Sequence, residues 1–257
     1  MYPNPLKQKI KSGQLVLGTM LPTHDIRIAA ALAYACKADF IWLEQEHSPF
    51  GPRDLEMIPI LLRQQGIAPM VRVAWNDPAL IKKAYDAGAV SVMIPQVDNV
   101  AEAKLAIEYS NYPPVGTRGI SPHWVGLAGL DFMEVVRTAN DETVTILQME
   151  SVQAYEQVDE ILALPGFDVL LVGPMDLSAS MGITGQRDNA RLQAIMQELP
   201  KRAAGTGKVI GTTLGSPAEM RQKIEWGYKF LNLENLLGAG IRFVNNEFKE
   251  YRAMVGQ

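Results

Sequence analysis

Residues 144–176 read VTILQMESVQAYEQVDEILALPGFDVLLVGPMD, which is an apolar run, a helix-like stretch and a second apolar run. Glu150 ends the first run, and Asp176 follows the second. Nearly continuous apolar runs are typical of parallel strands that helices cover on both faces. Neighbouring strands lie about 4.8 Å apart, so both carboxylates are expected at the same end of one sheet. Two such groups can bind one small, hard cation.

The same strand–helix unit repeats along the whole chain. Strands are predicted at 15–20, 40–44, 70–74, 91–95, 143–149, 169–172, 208–213 and 229–233. Helices are predicted between and after them, at 24–37, 52–65, 78–87, 99–110, 152–163, 189–206, 217–226 and 236–254. Pro78 and Pro217 each follow a capping residue, as is common at helix starts.

Eight strands that alternate with eight helices in 257 residues are typical of a (β/α)8 TIM barrel. We therefore predict an α/β protein in which residues 1–257 form a single barrel domain. A doubly wound open sheet is the alternative, but no glycine-rich nucleotide loop follows an early strand. One connection, residues 111–130, is unusually long. Such loops are usually functional, so we expect it to cross a barrel mouth or an interface.

Composition narrows the classes of partner. The net charge is −4, with 47% hydrophobic and 20% charged residues, as in an ordinary soluble domain without a basic surface for nucleic acid. The single cysteine, Cys36, excludes an intrachain disulfide and indicates a reducing compartment. No signal peptide is visible, and no apolar run is long enough to cross a bilayer. We predict a cytoplasmic protein without nucleic-acid or membrane partners.

Polar residues follow several predicted strands at the end where barrel enzymes carry their active sites. His47 follows the second strand, Arg72 lies in the third and Gln148 lies at the end of the fifth. An arginine in an apolar run needs an anionic partner, which is here either a substrate carboxylate or a structural glutamate. No lysine stands at a strand end, and this argues against Schiff-base chemistry.

Each candidate also has a purely structural interpretation. Glu150 would then begin the next helix, where a carboxylate favours the positive end of the helix dipole, and Asp176 would cap a turn. His47 would be a buried histidine bonded to backbone, and Asp86 would be a solvated helix residue. Because Glu150 and Asp176 follow consecutive strands, metal binding is the better interpretation for that pair.

Seven motifs occur in order along the chain: EHSP (46–49), VRV (71–73), YDAGA (85–89), IP (94–95), YPPVGTRG (112–119), QME (148–150) and GPMDLS (173–178). Together they resemble the HpcH/HpaI aldolase family. These are metal-dependent class II pyruvate aldolases that include hydroxy-oxo-heptanedioate and dehydro-deoxy-glucarate aldolases. The resemblance spans residues 18–233, and the YPPxGxRG and GPxDLS motifs are its most specific parts.

The resemblance implies a carbon–carbon lyase that cleaves or forms 4-hydroxy-2-oxo acids through a pyruvate enolate. It implies that Glu150 and Asp176 hold a divalent cation, Mg²⁺, Mn²⁺ or Co²⁺. Arg72 would bind the carbonyl or enolate oxygen of the 2-oxo acid, and Gln148 would lie beside that acid. The acid's carboxylate would be received by the backbone at Gly173, Pro174 and Met175.

The resemblance also implies an assembly. His47 would transfer protons, supported by Asp86 from a neighbouring subunit. The family forms hexamers, trimers of dimers in which C-terminal helices are exchanged. The partners would be a small 2-oxo acid and an aldehyde.

Two differences from the family pattern leave the aldehyde open. Glu44 stands where relatives commonly carry aspartate, three residues before the histidine. Residues 121–126 lack the arginine that aldolases of the family tend to have after Arg118 and Gly119. One alternative function is an oxaloacetate decarboxylase or a macrophomate-synthase-like enzyme that uses the same enolate. Another is a barrel that binds a small acid without catalysis.

Overall fold

The computed structural model describes residues 3–256, which contain a closed barrel of eight parallel strands. The strands are β1 (Val16–Leu21), β2 (Phe40–Glu44), β3 (Ala68–Arg72), β4 (Ser91–Ile94), β5 (Val144–Met149), β6 (Val169–Val172), β7 (Val209–Thr213) and β8 (Phe230–Leu233). Each pairs with the next in sequence, and β8 closes the barrel against β1. The predicted barrel is confirmed, with strand ends displaced by no more than two residues, and the open-sheet alternative is wrong.

Helices surround the barrel. They are α1 (Pro5–Lys11), α2 (Ile26–Ala35), α3 (Ile58–Gln64), α4 (Pro78–Asp86), α5 (Val100–Ser110), α6 (Trp124–Leu127), α7 (Phe132–Glu142), α8 (Val152–Glu156), α9 (Val158–Leu162), α10 (Pro174–Ser180), α11 (Ala190–Arg202), α12 (Pro217–Trp226) and α13 (Leu236–Met254). Four of them, α1, α6, α7 and α10, were not predicted.

Two predicted helices are interrupted. The stretch 52–65 forms a 3₁₀ turn at Pro52–Leu55 and then α3. Pro59 explains this break, because its ring would clash with the carbonyl four residues earlier in a continuous helix. The stretch 152–163 divides at Gln157 into α8 and α9.

Helix α1 closes the amino-terminal end of the barrel. Leu6 and Ile10 are buried in the same apolar cluster as the stacked rings of Phe40 and Phe230, whose centroids lie 4.4 Å apart. Lys7 fixes the helix there, since its Nζ lies 2.6 Å from Oδ1 of Asp168. The carboxyl ends of the strands are thus the end of the barrel available for a site.

The long connection lies on the outside of the barrel. The guanidinium of Arg118 stacks on Tyr85 at 4.3 Å and on Tyr112 at 3.8 Å, and that of Arg63 lies 3.6 Å from the Trp124 ring. These contacts hold residues 111–130 against α3 and α4, and none of these residues lines the cleft at the strand ends. The expectation that this segment crosses the barrel mouth is wrong, because its aromatic and cationic groups pack on the helical layer.

The C-terminal helix α13 has the predicted bounds, yet none of its residues is buried. Its exposed apolar side chains include Leu237, Ile241, Val244, Phe248 and Tyr251. Within residues 3–256, no helix is both long enough and apolar enough to span a membrane.

Candidate active site

A cleft of about 580 Å³ opens at the carboxyl ends of the strands. The barrel brings together there most of the residues that the sequence singled out. Its lining includes His47, Arg72, Gln148, Gly173, Pro174, Met175 and Asp176.

Arg72 is the buried cation of this cleft. Its Nε donates to Oε2 of Glu44 at 2.7 Å, and its Nη1 lies 2.9 Å from Oε2 of Glu46. Nη1 also reaches Oε1 of Gln148 at 3.5 Å, and the guanidinium lies 4.7 Å from the Trp42 ring. A buried arginine needs such charged partners. The anionic partner predicted for Arg72 is therefore provided, within the chain, by two glutamates.

Glu44 organises the turn that carries the histidine. Besides Arg72, its carboxylate accepts hydrogen bonds from Nε1 of Trp42 at 2.9 Å and from the backbone N–H groups of Glu46 at 2.7 Å and His47 at 3.0 Å. Hydrogen bonds to an ionised acceptor are stronger than neutral ones. The residue that departs from the family pattern thus joins β2, Arg72 and the loop of His47.

His47 lies at the open edge of the cleft. Its side chain is 63% exposed, with Nε2 at 3.7 Å from Oε2 of Glu46. The interpretation of His47 as a buried histidine bonded to backbone is wrong. An exposed imidazole that lines a cleft is accessible to substrate and to a neighbouring subunit.

Glu150 and Asp176 belong to adjacent strand ends. In the β5–β6 register Met149 pairs with Val172, so Glu150 follows directly on one strand and Gly173 on the other. Glu150 is 6% exposed. Burial raises the pKa of its carboxyl to about 8, and the charges of Glu46 and Asp176 add to the shift, while Arg72 opposes it. The two predicted carboxylates therefore interact with each other.

The structural interpretation is wrong for Glu150, whereas Asp176 does lie at the start of a helix. Ser151 caps α8, because its Oγ accepts from the N–H of Ala154 at 3.1 Å, and Glu150 precedes that cap. Helix α10 has Gly173 as its N-cap, which leaves Asp176 inside the first turn.

Neighbouring residues pack closely around the carboxylate of Glu150 and bond to it. Nε2 of Gln148 donates to Oε1 of Glu150. A Cβ at Gly173 would lie 2.7 Å from the same oxygen, so only glycine leaves room for this carboxylate. Gln96 adopts the left-handed φ of 51°, which costs a non-glycine residue about 1–3 kcal/mol. In that conformation its backbone bonds to Glu150 and its side-chain Nε2 donates to Glu46 at 3.0 Å.

The donor set at the cleft fits a hard divalent cation. Within residues 3–256, no group of three or more His, Cys, Asp or Glu side chains is arranged around a metal position. Mg²⁺ is usually held by one or two carboxylates, with its other positions left for substrate and water. Glu150 and Asp176 match that pattern, because the charge of Asp176 raises the pKa of Glu150 and a cation between them would offset that repulsion. Their oxygens favour Mg²⁺ or Mn²⁺ over zinc.

Asp86 lies elsewhere on this chain. It is half-buried at the end of α4, in a surface depression shared with Lys82, Gly119 and His123. Its Oδ1 is buried without a hydrogen-bond partner among residues 3–256. Burial raises its pKa to about 6, although Arg118, His123 and Lys82 oppose the shift. The interpretation of Asp86 as an ordinary solvated residue is wrong, and within one chain it does not share the cleft of His47.

Sequence reasoning missed several side chains of the cleft. Trp42, Asn232 and Glu234 lie on or just after strands, and that position is the signal in the sequence that indicates them. Arg187 lies in the loop between α10 and α11, and no local pattern in the sequence indicates its place in the cleft.

A closed parallel barrel with an arginine, a histidine and paired carboxylates at its strand ends is the architecture of a barrel enzyme. Residues 21–234 match the model of the HpcH/HpaI aldolase/citrate lyase family, and the chain belongs to this family. The resemblance drawn from the motifs is confirmed.

Several aldolases and a solved structure are similar to this protein over most of its length. It is 37% identical over 222 residues to a 2-dehydro-3,6-dideoxy-6-sulfogluconate aldolase of Pseudomonas putida, covering 86% of both chains. It is 33% identical over 239 residues to a hydroxypyruvate/pyruvate aldolase of Paraburkholderia phytofirmans, covering 90% of this chain and 91% of the relative. The crystal structure of a family member from Burkholderia cenocepacia J2315 superposes with a TM-score of 0.89 at 29% identity, covering 97% of this chain and 99% of that one. The protein is an aldolase, a carbon–carbon lyase.

Proposed function

We propose that this aldolase depends on a divalent metal and interconverts a 4-hydroxy-2-oxo acid with an aldehyde and pyruvate, or a close 2-oxo acid. The observation that carries the proposal is the buried carboxylate of Glu150, which feels the charge of Asp176, together with a cleft that Asp176 and Arg72 line. Residues 1–257 act as a single barrel domain.

Glu150 and Asp176 hold the cation, which is Mg²⁺, Mn²⁺ or Co²⁺. When bound, it supplies positive charge that stabilises the oxyanion of the 2-oxo acid. The close packing of Gly173 against Glu150 and the hydrogen bond from Gln148 keep that carboxylate in one position.

Arg72 and Gln148 bind the 2-oxo acid. Glu44 and Glu46 hold the guanidinium of Arg72 in place before substrate arrives, so its donors need no reorganisation when charge develops on the enolate oxygen. Gln148 lies beside the acid. The carboxylate of the acid meets the backbone at the start of α10, formed by Gly173, Pro174 and Met175.

His47 moves the proton of the reaction. In cleavage, its imidazole accepts the proton of the C4 hydroxyl as the C3–C4 bond breaks. The electron pair of that bond stays on the pyruvate fragment as the enolate, which then takes up a proton at C3 to give pyruvate. In condensation, the same group returns the proton to the new alkoxide. Asp86 of a neighbouring subunit orients this histidine, which accounts for a half-buried carboxylate whose Oδ1 has no partner among residues 3–256.

The oligomer is a homohexamer, a trimer of dimers that exchange their C-terminal helices. Helix α13 supports this, because it presents apolar side chains along its length and buries none of them within one chain. Extended apolar surface of this kind marks an interaction site. The protein acts in the cytoplasm on small molecules, with no nucleic acid or membrane partner.

The test is a panel of aldehydes supplied with pyruvate, after removal of metal by a chelator and with each cation added back. We expect condensation that depends on the cation and is lost in Glu150→Ala. Glu160→Ala removes an exposed carboxylate from α9 and serves as the matched control. Full activity of chelated protein would refute metal dependence, and oxaloacetate turnover without any aldehyde reaction would favour a decarboxylase.

A further inference from the structure

The active-site cleft contains a second arginine, Arg187, which has no part in the proposed reaction. It lines the cleft beside Leu214 and Gly215, which follow β7. Its side chain is 37% exposed, whereas that of Arg72 is buried. Arg187 is therefore accessible to a molecule that occupies the cleft.

The loop of Arg187 is held firmly on α10. Oγ of Ser178 accepts from the N–H of Gly185 at 2.9 Å, and the N–H of Arg187 donates to the carbonyl of Gly185 at 2.9 Å. On the other side, Nε2 of Gln193 donates to the carbonyl of Arg187. Because α10 also carries Asp176, this loop places Arg187 at a constant position relative to the proposed metal site.

The orientation of the guanidinium is set by one acid. Nη2 of Arg187 donates to Oε1 of Glu219 at 2.7 Å, and Oε2 of Glu219 accepts from the N–H of Gly215 at 2.8 Å. A guanidinium has five N–H donors. Within residues 3–256, Glu219 is the acceptor to which the side chain of Arg187 is bonded, so its other N–H groups are available to a molecule bound in the cleft that Arg187 lines.

The two arginines of the cleft differ in their acidic partners. Arg72 contacts two acids, Glu44 and Glu46, whereas Glu219 is the acid that contacts Arg187 among residues 3–256. In the proposed reaction the carboxylate of the 2-oxo acid lies at the start of α10. A second anionic group on the substrate fits the remaining donors of Arg187, in the geometry that guanidinium groups use for carboxylates and similar anions.

We infer that Arg187 determines the aldehyde partner by binding an anionic group, such as a carboxylate or sulfonate, at the end of the aldehyde remote from its carbonyl. This inference rests on the proposed condensation of pyruvate with an aldehyde. It identifies the aldehyde's class and makes Arg187 a specificity-determining residue.

The test compares two four-carbon aldehydes, succinic semialdehyde with a terminal carboxylate and butanal without one. The enzyme is assayed with saturating metal and pyruvate, as wild type, as Arg187→Met and as Arg191→Met. Arg191 is an exposed arginine on α11 outside the cleft, so its variant controls for the loss of one positive charge.

We expect Arg187→Met to lower kcat/KM for succinic semialdehyde about 10- to 100-fold, the range that corresponds to a lost charge-assisted hydrogen bond. The value for butanal and the KM for pyruvate should change less than about 2-fold, the scatter within which Arg191→Met should also remain.

A second variant separates binding from a structural role. Glu219→Gln keeps an acceptor for the N–H of Gly215 and removes the charge that competes for Arg187. We expect kcat/KM for succinic semialdehyde to rise about 2- to 5-fold, with butanal unchanged. A purely structural Arg187–Glu219 pair would lower both values instead.

The inference is overturned by three outcomes: equal losses for both aldehydes in Arg187→Met, a rise confined to the KM for pyruvate, or wild-type turnover of butanal without any preference for the anion. Failure of the wild type with every aldehyde refutes the proposed function itself, and the inference with it. That result precedes any variant, so the two failures are distinguishable.

Discussion

Glu44 and Arg72 are direct partners in the β2–β3 register, and the 2.7 Å hydrogen bond between Oε2 and Nε joins the ends of these strands. The pair is buried, and Glu44 also accepts the N–H groups of the loop that carries His47. One carboxylate thus positions both the guanidinium of Arg72, the proposed ligand of the 2-oxo acid, and the turn of His47, the proposed proton carrier. Glu44, which is one methylene longer than the aspartate of the family pattern, thus bonds both Arg72 and the backbone of the His47 loop.

Substitution of Glu44 should lower both the activity and the stability of the protein, because Glu44 positions Arg72 and the loop of His47. Glu44→Gln retains the shape but leaves Arg72 with Glu46 as its charged partner, so we expect kcat to fall and the unfolding free energy to drop by about 1–3 kcal/mol. Steady-state kinetics of the condensation with pyruvate measure kcat, and urea denaturation measures the free energy of unfolding. Glu198→Gln, an exposed change on α11, should alter neither. Unchanged kcat in Glu44→Gln would contradict the positioning role.

A methyl group at Gly173 should displace the carboxylate of Glu150. The added Cβ would lie 2.7 Å from Oε1 of Glu150, closer than van der Waals contact allows, and 3.3 Å from Nε2 of Gln148, which is a tight contact. We expect Gly173→Ala to weaken Mg²⁺ binding at least about 10-fold in calorimetric titration, in keeping with lost support of a metal ligand. Gly126→Ala, where a Cβ meets nothing within 4 Å, is the control. Equal Mg²⁺ affinity in both variants would count against this arrangement.

Divalent cations should stabilise the folded protein through Glu150 and Asp176. A ligand that binds the folded state alone raises the unfolding free energy by about 2.7 kcal/mol at 100 times its Kd. We therefore expect the Tm of chelated protein to rise with added Mn²⁺ or Mg²⁺, and the rise to vanish in Glu150→Ala and Asp176→Asn. Differential scanning calorimetry measures it. A full rise in both variants would place the cation elsewhere.

Lys223 should make stability depend on pH. It is buried in α12 with Nζ 3.3 Å from Oε1 of Gln193, and burial lowers its pKa to about 8. Below pH 8 the lysine is charged in both states, and the cost of burying the charge is fully present. Between pH 8 and its unfolded pKa of 10.5 the unfolded chain binds more protons, so this group's contribution to stability rises with pH.

Replacement of that lysine should remove the pH effect. We expect Lys223→Met to raise the unfolding free energy at pH 7 by about 1–3 kcal/mol, less than the full value of the pKa shift because the bond to Gln193 is lost. At pH 10 the gain should be smaller. Urea denaturation at both pH values checks this, and an equal gain at both would show that the charge is not the cause.

Helix α13 should be essential to the oligomer. We expect Phe248→Glu to give a smaller species by light scattering on a sizing column, because a charge in an apolar interface is costly. Asn246→Glu, an exposed polar position on the same helix, should keep the wild-type mass. Unchanged mass in Phe248→Glu would contradict the proposed exchange of helices.

Local sequence was sufficient to predict the strands, most of the helices and the barrel fold. The apolar runs, separated by helix starts such as Asp77–Pro78 and Ser216–Pro217, predicted the eight strands. The order of the parallel strands predicted that Glu150 and Asp176 follow neighbouring strand ends. Hydrophobic periodicity and capping act over a few residues, so they are readable without coordinates. The sequence did not indicate α10, because Gly173 and Pro174 look like a loop until a helix is seen to follow.

Only the tertiary structure decided which side chains meet. In the folded chain Arg72 pairs with Glu44 and Glu46, and Gln96 adopts a left-handed conformation next to Glu150. Residues 111–130 pack outside the barrel, and Arg187 lines the cleft. These contacts join residues that are far apart in sequence, and they depend on strand register and on how loops pack. Loop packing and contacts between distant strands are not encoded in any one short stretch of sequence, and so the full cleft became visible only in the closed barrel.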